Sequence, residues 1–287
     1  MAENSGQVVA IIGLGTMGRR IALLCLVNGH RVMATSRTPE STARSLDALR
    51  KELSRRVAKG KMTREQMDSL SSRISTMNDM SDLIRASVVI EAANENLELK
   101  RSIYRDIEPH LAKGALLATN TSSLPIKELA KGLQHRAMFL GMHFFNPPEI
   151  MKLVELRKGE ETSSEAVDAA REFVGNLGRT PMEVPDVPGY YVNRVLFPML
   201  VESIRILDRN EGANAKDIDD SMKLGANHPM GPLELCDFIG NDVVLCICEI
   251  LWQHTGEPQY EPPKLLRKMV EENKLGKKTE LGFYKYT

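Results

Sequence analysis

The sequence predicts an α/β chain: a doubly wound sheet followed by a C-terminal all-α domain. Three observations carry that expectation. Short apolar runs alternate with helical stretches through residues 8–184, a glycine-rich turn joins the first run to the first helix, and beyond residue 186 helical periodicity meets no convincing strand before the Phe283-Tyr284 tail.

Residues 8–12 form a continuous apolar run ended by glycines, and residues 20–27 then carry a helical apolar face closed by Asn28-Gly29. A second strand over 31–35 completes a βαβ unit, whose right-handed crossover lays the two strands parallel. Residues 40–61 and 63–71 alternate apolar and charged positions at helical spacing, which predicts an antiparallel helical pair projecting from the sheet. The runs SVVIEA (87–92) and ALLAT (115–119) read as strands buried on both faces, with a helix over 97–111 between them. From residue 137 two apolar strands flank a Pro-Pro break, and a helix over 164–177 and a strand near 180–184 close the sheet. The turn-rich segment Pro185-Asp186-Val187-Pro188-Gly189 places a boundary near residue 186, giving domains 1–186 and 187–287.

Composition narrows the function classes. At 287 residues, two domains are favoured; 42% hydrophobic and 26% charged residues fit a globular chain. Thirty-eight basic residues cancel thirty-eight acidic ones, so no global field draws the chain to nucleic acid or an anionic bilayer. The four cysteines, 25, 236, 246 and 248, form no CxxC pair and have no histidine at ligand spacing, so no metal site and no disulfide framework is expected. Cys246 and Cys248 read as small core residues of a helix. Reduced thiols, and an N-terminus without a basic leader or a long apolar stretch, predict a cytoplasmic protein with no membrane partner.

Gly13-Leu14-Gly15-Thr16-Met17-Gly18 supplies G-x-G-x-x-G between a strand and a helix, the context that turns a weak pattern into a dinucleotide-binding expectation on a Rossmann-type sheet. The first glycine permits the tight turn, the second lets backbone approach a pyrophosphate, and the third lets helix pack close to strand. An NAD-selecting site ordinarily ends its second strand with an acid that accepts from the ribose hydroxyls. Here the chain runs Thr35-Ser36-Arg37-Thr38, with no acid before Glu40. A carboxylate at that place repels a 2′-phosphate, whereas Ser36 and Arg37 can bond and neutralise it, so NADP(H) is favoured over NAD(H).

Hydride transfer from an alcohol needs a base for the hydroxyl proton. His143 ends an apolar strand at the carboxyl edge of the sheet, where ligands of open α/β folds gather. If the strands around Asn146-Pro147-Pro148 pair as a hairpin centred near residue 149, His143 opposes Glu155, and the carboxylate can take one ring N–H and raise the basicity of the imidazole. A slip of one residue would put the two on opposite faces. Asn120-Thr121-Ser122-Ser123 follows a buried strand at the same edge and offers hydroxyl and amide groups to a substrate oxygen.

With these residues in place, the chain resembles the 3-hydroxyacyl-CoA dehydrogenases, in particular the short 3-hydroxybutyryl-CoA dehydrogenase type. The similarity runs nearly end to end, through GLGTMG, EAANENLELK, ATNTSSLPI, GMHFFNPPEIMKLVEL, VPGYYVNR, LGANHPMGPLEL and GKKTELGFYKY. The resemblance implies an active site of Ser122, His143, Glu155 and Asn193, with His143 as base in oxidation and acid in reduction, Glu155 orienting it, and Ser122 and Asn193 bonding substrate oxygens. It also implies coenzyme contacts from Glu95, Lys100, Asn120 and Lys278, and places residues 50–61 where the family's helical arm grips the coenzyme A nucleotide; Lys59 or Lys61 could reach a phosphate there, and a solvated basic helix face is the equal alternative. Family members that use NAD have Asp where this chain has Ser36, so coenzyme choice rests on the physical argument and is not inherited.

The expected activity is hydride transfer between NADP(H) or NAD(H) and C3 of a 3-hydroxyacyl or 3-oxoacyl-CoA, short chains first, by a homodimer. Rival readings are a dehydrogenase of an acyl-carrier-protein thioester or a free hydroxy acid, and a non-catalytic NADP-binding protein. GLGTMG and SRT are also similar to the 3-hydroxyisobutyrate and 6-phosphogluconate dehydrogenases, but that group uses a lysine catalyst and lacks HFFNPP.

Overall fold

Runs that are apolar on both faces become strands covered on both sides. In the computed structural model, which describes residues 6–77, 79–209 and 212–286, the strands are β1 (Val8–Ile12), β2 (Arg31–Thr35), β3 (Ile74–Thr76), β4 (Val88–Glu91), β5 (Leu116–Thr119), β6 (Phe139–Phe144), β7 (Leu153–Lys158) and β8 (Thr180–Val184), of which β4, β5 and β6 are buried at every residue. They form one sheet in the order β3-β2-β1-β4-β5-β6-β7-β8. Every neighbouring pair is parallel except the β6/β7 hairpin. The order reverses between β1 and β4, so the chain leaves the two strands in opposite directions. That opens a crevice at their carboxyl ends.

Alternation along each strand divides the core in two. Val9 and Ile11 of β1, Val88 and Ile90 of β4, and Leu116 and Ala118 of β5 join one apolar cluster, while Ala10, Ile12, Val89 and Leu117 join another on the opposite face. The hairpin keeps this rule with a difference. Leu140, Met142, Phe144, Val154 and Leu156 all enter the first cluster, so the intervening His143, Glu155 and Arg157 share the other face.

The helices of this part follow in order: α1 (Thr16–Val27), α2 (Pro39–Ala58), α3 (Arg64–Ser72), α4 (Leu97–Ile107), α5 (Ile126–Leu129) and α6 (Ser164–Asn176). Their starts have local causes. Thr38 with Ser41, and Thr63 with Gln66, form reciprocal capping boxes for α2 and α3, and Asn96 and Ser163 cap α4 and α6. Helix α1 begins four residues before its apolar face because the glycine turn itself supplies the first turn. The expected pair over 40–71 does not stand clear of the sheet: Leu46, Leu49 and Leu53 of α2 and Leu70 of α3 are buried in the first apolar cluster. Strand β3 was not expected. Three residues are too few to show a period of two, and Ser75 and Thr76 are exposed on the outermost strand.

The chain divides into two compact units, Met1–Asp186 and Val187–Thr287. The second holds α7 (Val192–Asp208), α8 (Ala215–Gly225), α9 (Pro232–Ile239), α10 (Asn241–Thr255) and α11 (Lys264–Glu271) around its own core, in which Phe197, Leu200, Leu233, Cys236, Val244 and Leu266 are buried. Two buried carboxylates tie its ends together. Asp237 accepts from the Phe283 and Tyr284 amides and the Tyr286 hydroxyl, and Asp219 from the Leu233 amide and the Tyr284 hydroxyl. Cys248 is buried, with its thiol pushed up to about 12 by burial, but Cys246 is exposed. Two positions along a helix turn the side chain about 200°, so both cannot face one core. No helix among the described residues is long and apolar enough to cross a membrane, and no group of three or more acidic, histidine or cysteine side chains there is placed to hold a metal ion. Residues 1–5, part of the stretch read for a leader, lie outside the described residues.

Candidate active site

The carboxyl ends of the parallel strands β1, β4, β5 and β6 bring four loops to one edge. After β1, Gly13 has φ +96°, and a Cβ there would sit 2.8 Å from the Ala93 nitrogen, against the loop that follows β4. A Cβ on Gly18 would lie 1.8 Å from the Gly13 carbonyl oxygen, so α1 approaches the strand only because position 18 has no side chain. Gly15 is different: nothing lies within 4 Å of a Cβ built on it, and no side chain caps α1 there. An open backbone face at an uncapped helix N-terminus, with Thr16 and Met17 in its first turn, fits a pyrophosphate.

At the end of β2, the Ser36 hydroxyl accepts from the Leu14 amide at 3.1 Å and the Ser36 amide donates to Thr42 Oγ1 at 2.9 Å. The hydroxyl is thereby fixed beside the glycine loop. Arg37, next to it, is exposed.

Beneath the loop after β4 lies a buried charged cluster. Glu91 is fully buried at the end of β4. Its carboxylate accepts from Lys100 Nζ at 2.8 and 2.9 Å, from the Tyr104 and Thr119 hydroxyls at 2.8 Å each, and from the Ala93 amide at 2.6 Å. Every oxygen is satisfied, which is the condition under which a buried ion pair is tolerable. Burial and the Glu91 charge raise the Tyr104 hydroxyl well above its ordinary pKa. Lys100 is equally buried and stands 3.7 Å from Glu95, so it reaches the crevice through that carboxylate. Glu95 Oε1 in turn accepts from the Thr121 hydroxyl (2.5 Å), the Ser122 and Ser123 amides (2.9 and 3.0 Å) and the Ser123 hydroxyl (2.9 Å), with the Ser122 hydroxyl at 3.5 Å. Burial alone would raise the Glu95 pKa. Lys100 and these donors outweigh it and hold the carboxyl below its ordinary 4.5. One carboxylate thus shapes the whole Thr121-Ser122-Ser123 turn.

Asn120, just after β5, ties the ends of β4 and β6 together: its backbone amide donates to the Glu91 carbonyl at 2.7 Å, and its Oδ1 accepts from the Phe144 amide at 3.0 Å. It locks the backbone beside His143. In the hairpin, His143 is paired with Glu155, Gly141 with Arg157. The Nδ1 atom of His143 lies 2.9 Å from Glu155 Oε2; His143 is 8% exposed and Glu155 is 1% exposed. An ionised carboxylate only accepts, so Nδ1 carries a proton, and in the neutral ring the lone pair is on Nε2. The His143 ring also packs at a tilt of 52° against Phe145, centroids 4.5 Å apart. Two residues beyond Glu155 on the same face, buried Arg157 pairs with Asp186, whose carboxylate also accepts from the Ile126 and Lys127 amides at the start of α5. The geometry therefore unites His143 with Glu155, and Glu95 with Ser122.

The remaining two expected residues belong to the second unit. Asn193 lies in the first turn of α7, 8% exposed, after Tyr190 at φ +53°. Lys278 is half-exposed and paired with Asp242 at 2.5 Å. Sequence reasoning missed Glu91, Tyr104 and Asp186. A signal existed for Glu91, an acid inside the apolar run SVVIEA with a lysine nine residues on; a buried charge demands a partner. None existed for Asp186, which reads as a turn residue.

Comparison with known proteins gives concordant matches. The sequence profile of the 3-hydroxyacyl-CoA dehydrogenase NAD binding domain matches residues 8–187, and that of the 3-hydroxyacyl-CoA dehydrogenase C-terminal domain matches residues 189–286. The chain is 40% identical to a 3-hydroxybutyryl-CoA dehydrogenase of Clostridioides difficile over 278 residues, covering 97% of this chain and 99% of the relative. Among solved structures, the (S)-3-hydroxybutyryl-CoA dehydrogenase of Ralstonia eutropha superposes with a TM-score of 0.91 at 38% identity, covering 99% of this chain and all of the other. A diketoreductase acting on dicarbonyl compounds superposes at 0.83 with 26% identity, covering 98% of this chain and 99% of the other.

Proposed function

We propose, from the premise that this chain belongs to the 3-hydroxyacyl-CoA dehydrogenase family, that it transfers hydride between a nicotinamide coenzyme and C3 of a short 3-hydroxyacyl or 3-oxoacyl-CoA, with 3-hydroxybutyryl-CoA and acetoacetyl-CoA as the first substrates to test. The observation that carries this reading is the 2.9 Å pairing of His143 Nδ1 with Glu155 at the carboxyl edge of the sheet. A bound nicotinamide supplies the hydride acceptor or donor. The chain supplies the proton chemistry. Nε2 of His143 takes the hydroxyl proton during oxidation and returns one to the carbonyl oxygen during reduction, and Glu155 stabilises the imidazolium in between. Ser122, held by Glu95, and Asn193 are assigned to hydrogen-bond substrate oxygens. Glu95, Asn120 and Lys278 are assigned to the coenzyme, with Lys100 acting through Glu95.

The coenzyme-binding match is to an NAD binding domain. Within that class we assign a preference for NADP(H), supported by the fixed Ser36 hydroxyl and exposed Arg37 where an acid would otherwise meet the ribose. The preference is read from the ratio of catalytic efficiencies with NADPH and NADH; a ratio favouring NADH refutes it. We further assign the protein to the cytoplasm as a homodimer. The test of the activity itself is acetoacetyl-CoA reduction by the wild type and by His143→Gln. Loss of turnover by about 10²- to 10⁴-fold with coenzyme affinity kept is expected for a general acid–base. Unchanged turnover refutes the role, and turnover of free dicarbonyls or acyl-carrier-protein thioesters in preference to acyl-CoA refutes the substrate.

A further inference from the structure

Glu149 lies in the turn of the hairpin that carries His143 and Glu155, and its side chain is held in a basic pocket. Its carboxylate lies 3.2 Å from Arg20 of α1 and 3.4 Å from Arg56 of α2, and Arg56 also meets Glu52 at 2.8 Å. These four side chains line a cavity of about 460 Å³ together with Arg55, Lys59 and Lys61. Five cations face two carboxylates there, so the pocket keeps a net positive charge after its internal pairing. Met62, Pro147 and Ile150 give it an apolar side. That combination suits a ligand with a flat ring and more than one phosphate.

The pairing around Glu149 is loose. Charge-assisted N–H···O bonds run near 2.7–2.9 Å, and both Glu149 pairings exceed that. The arginines keep roughly a third of their side-chain surface in solvent, whereas Glu149 keeps 16%. The backbone of the turn has an independent anchor, since the Arg179 guanidinium donates to the Pro148 and Glu149 carbonyls at 2.8 and 2.9 Å. The Glu149 side chain is therefore not what holds the turn in place, and its position between two guanidinium groups asks for another explanation.

We propose that Glu149 is a resident counter-anion. It occupies the arginine pair that an incoming polyphosphate needs, and so lowers the affinity of this pocket for the nucleotide end of the substrate. The inference rests on the acyl-CoA reading above, because the ligand is the nucleoside 3′,5′-bisphosphate portion of coenzyme A. A phosphate carries up to twice the charge of a carboxylate and accepts from both guanidinium groups at once. Binding then displaces Glu149 or leaves it as a repulsive neighbour, and either course costs affinity.

The test is calorimetric titration of the full-length protein with adenosine 3′,5′-bisphosphate at low ionic strength, which needs no turnover. Removing one negative charge at roughly 7 Å from a phosphate dianion in water corresponds to about 3- to 10-fold tighter binding, shrinking as salt is added. Glu149→Gln is expected to gain that factor and Glu149→Asp, which keeps the charge, is not. Glu149→Ala serves in place of Gln should the amide variant fold poorly. Equal or weaker binding by both neutral variants, or no binding by any form, overturns the proposal. Tighter binding by a protein that turns over no acyl-CoA leaves this inference standing and removes the substrate reading instead.

Discussion

Replacing Glu155 by glutamine tests whether the partner of His143 acts through its charge. The amide is nearly isosteric with the carboxylate and can still accept the Nδ1 proton through its carbonyl, so the ring keeps a bond near the observed 2.9 Å. What is lost is the negative charge beside an imidazolium. Two unit charges 4 Å apart interact by about 4 kcal/mol at an effective dielectric constant near 20, which sets a ceiling, and hydrogen bonds to charged groups contribute about 1.5–3 kcal/mol net. Taking about 2–3 kcal/mol of lost stabilisation in the transition state, the turnover number should fall by about 30- to 150-fold. The assay is kcat for acetoacetyl-CoA reduction at saturating substrate and coenzyme, with coenzyme affinity measured separately by direct binding. Retention of kcat within about threefold of wild type refutes the electrostatic role. A fall in kcat matched by an equal loss of coenzyme affinity refutes it as well, since the residue would then be shaping the fold rather than the proton transfer. Thermal unfolding of the variant must accompany both measurements, because Glu155 is only 1% exposed.

Gly18→Ala puts a Cβ 1.8 Å from the Gly13 carbonyl oxygen; the strain should cost about 1–3 kcal/mol, read as a lower urea midpoint, with coenzyme binding weakened in parallel. Glu95 is held below its ordinary pKa of 4.5, so its ionised form stabilises the native state above that value and the contribution is lost as pH falls through the depressed value. Glu95→Gln should accordingly flatten the acid limb of the Tm profile below pH 4.5. His30 is buried against Phe173, and burial followed by repulsion from Arg73 lowers its pKa below 6.5. The unfolded chain then binds a proton that the native chain refuses, so stability declines as pH drops below 6.5, and His30→Phe should remove that slope on the acid side of pH 6.5. Ser36→Asp sets a carboxylate where a 2′-phosphate is assigned; at about 4 Å in water the repulsion amounts to about 1 kcal/mol per charge, and the NADPH to NADH efficiency ratio should drop by at least about tenfold. An unchanged ratio refutes the placement of the phosphate.

The sheet and the hairpin pair were legible for the same reason: both rest on period and local turn chemistry. Continuous apolar runs announced strands covered on both faces, and a turn centred near residue 149 fixed the register that sets His143 against Glu155. The glycine motif was legible because its first and third glycines answer steric demands that the structure displays at Gly13 and Gly18. What remained hidden depends on pairings between residues far apart in sequence. Arg20 and Arg56 meet Glu149 across separations of 129 and 93 residues, and no spacing rule reaches that far. Lys100 shows the intermediate case. Its motif suggested that it touches a ligand, yet burial with Glu91 turns it into the support for Glu95, which in turn holds the turn bearing Ser122. A titratable group in a sequence motif thus has two readings that only burial can separate. For Lys100 they predict different consequences. If the ammonium bonded the coenzyme directly, Lys100→Met would weaken coenzyme binding alone. Loss of the support leaves the Glu91 charge buried without its cation, so both stability and the placement of Ser122 should suffer together. Measuring Tm and kcat on that one variant distinguishes them, and a drop in coenzyme affinity with Tm unchanged would refute the supporting role.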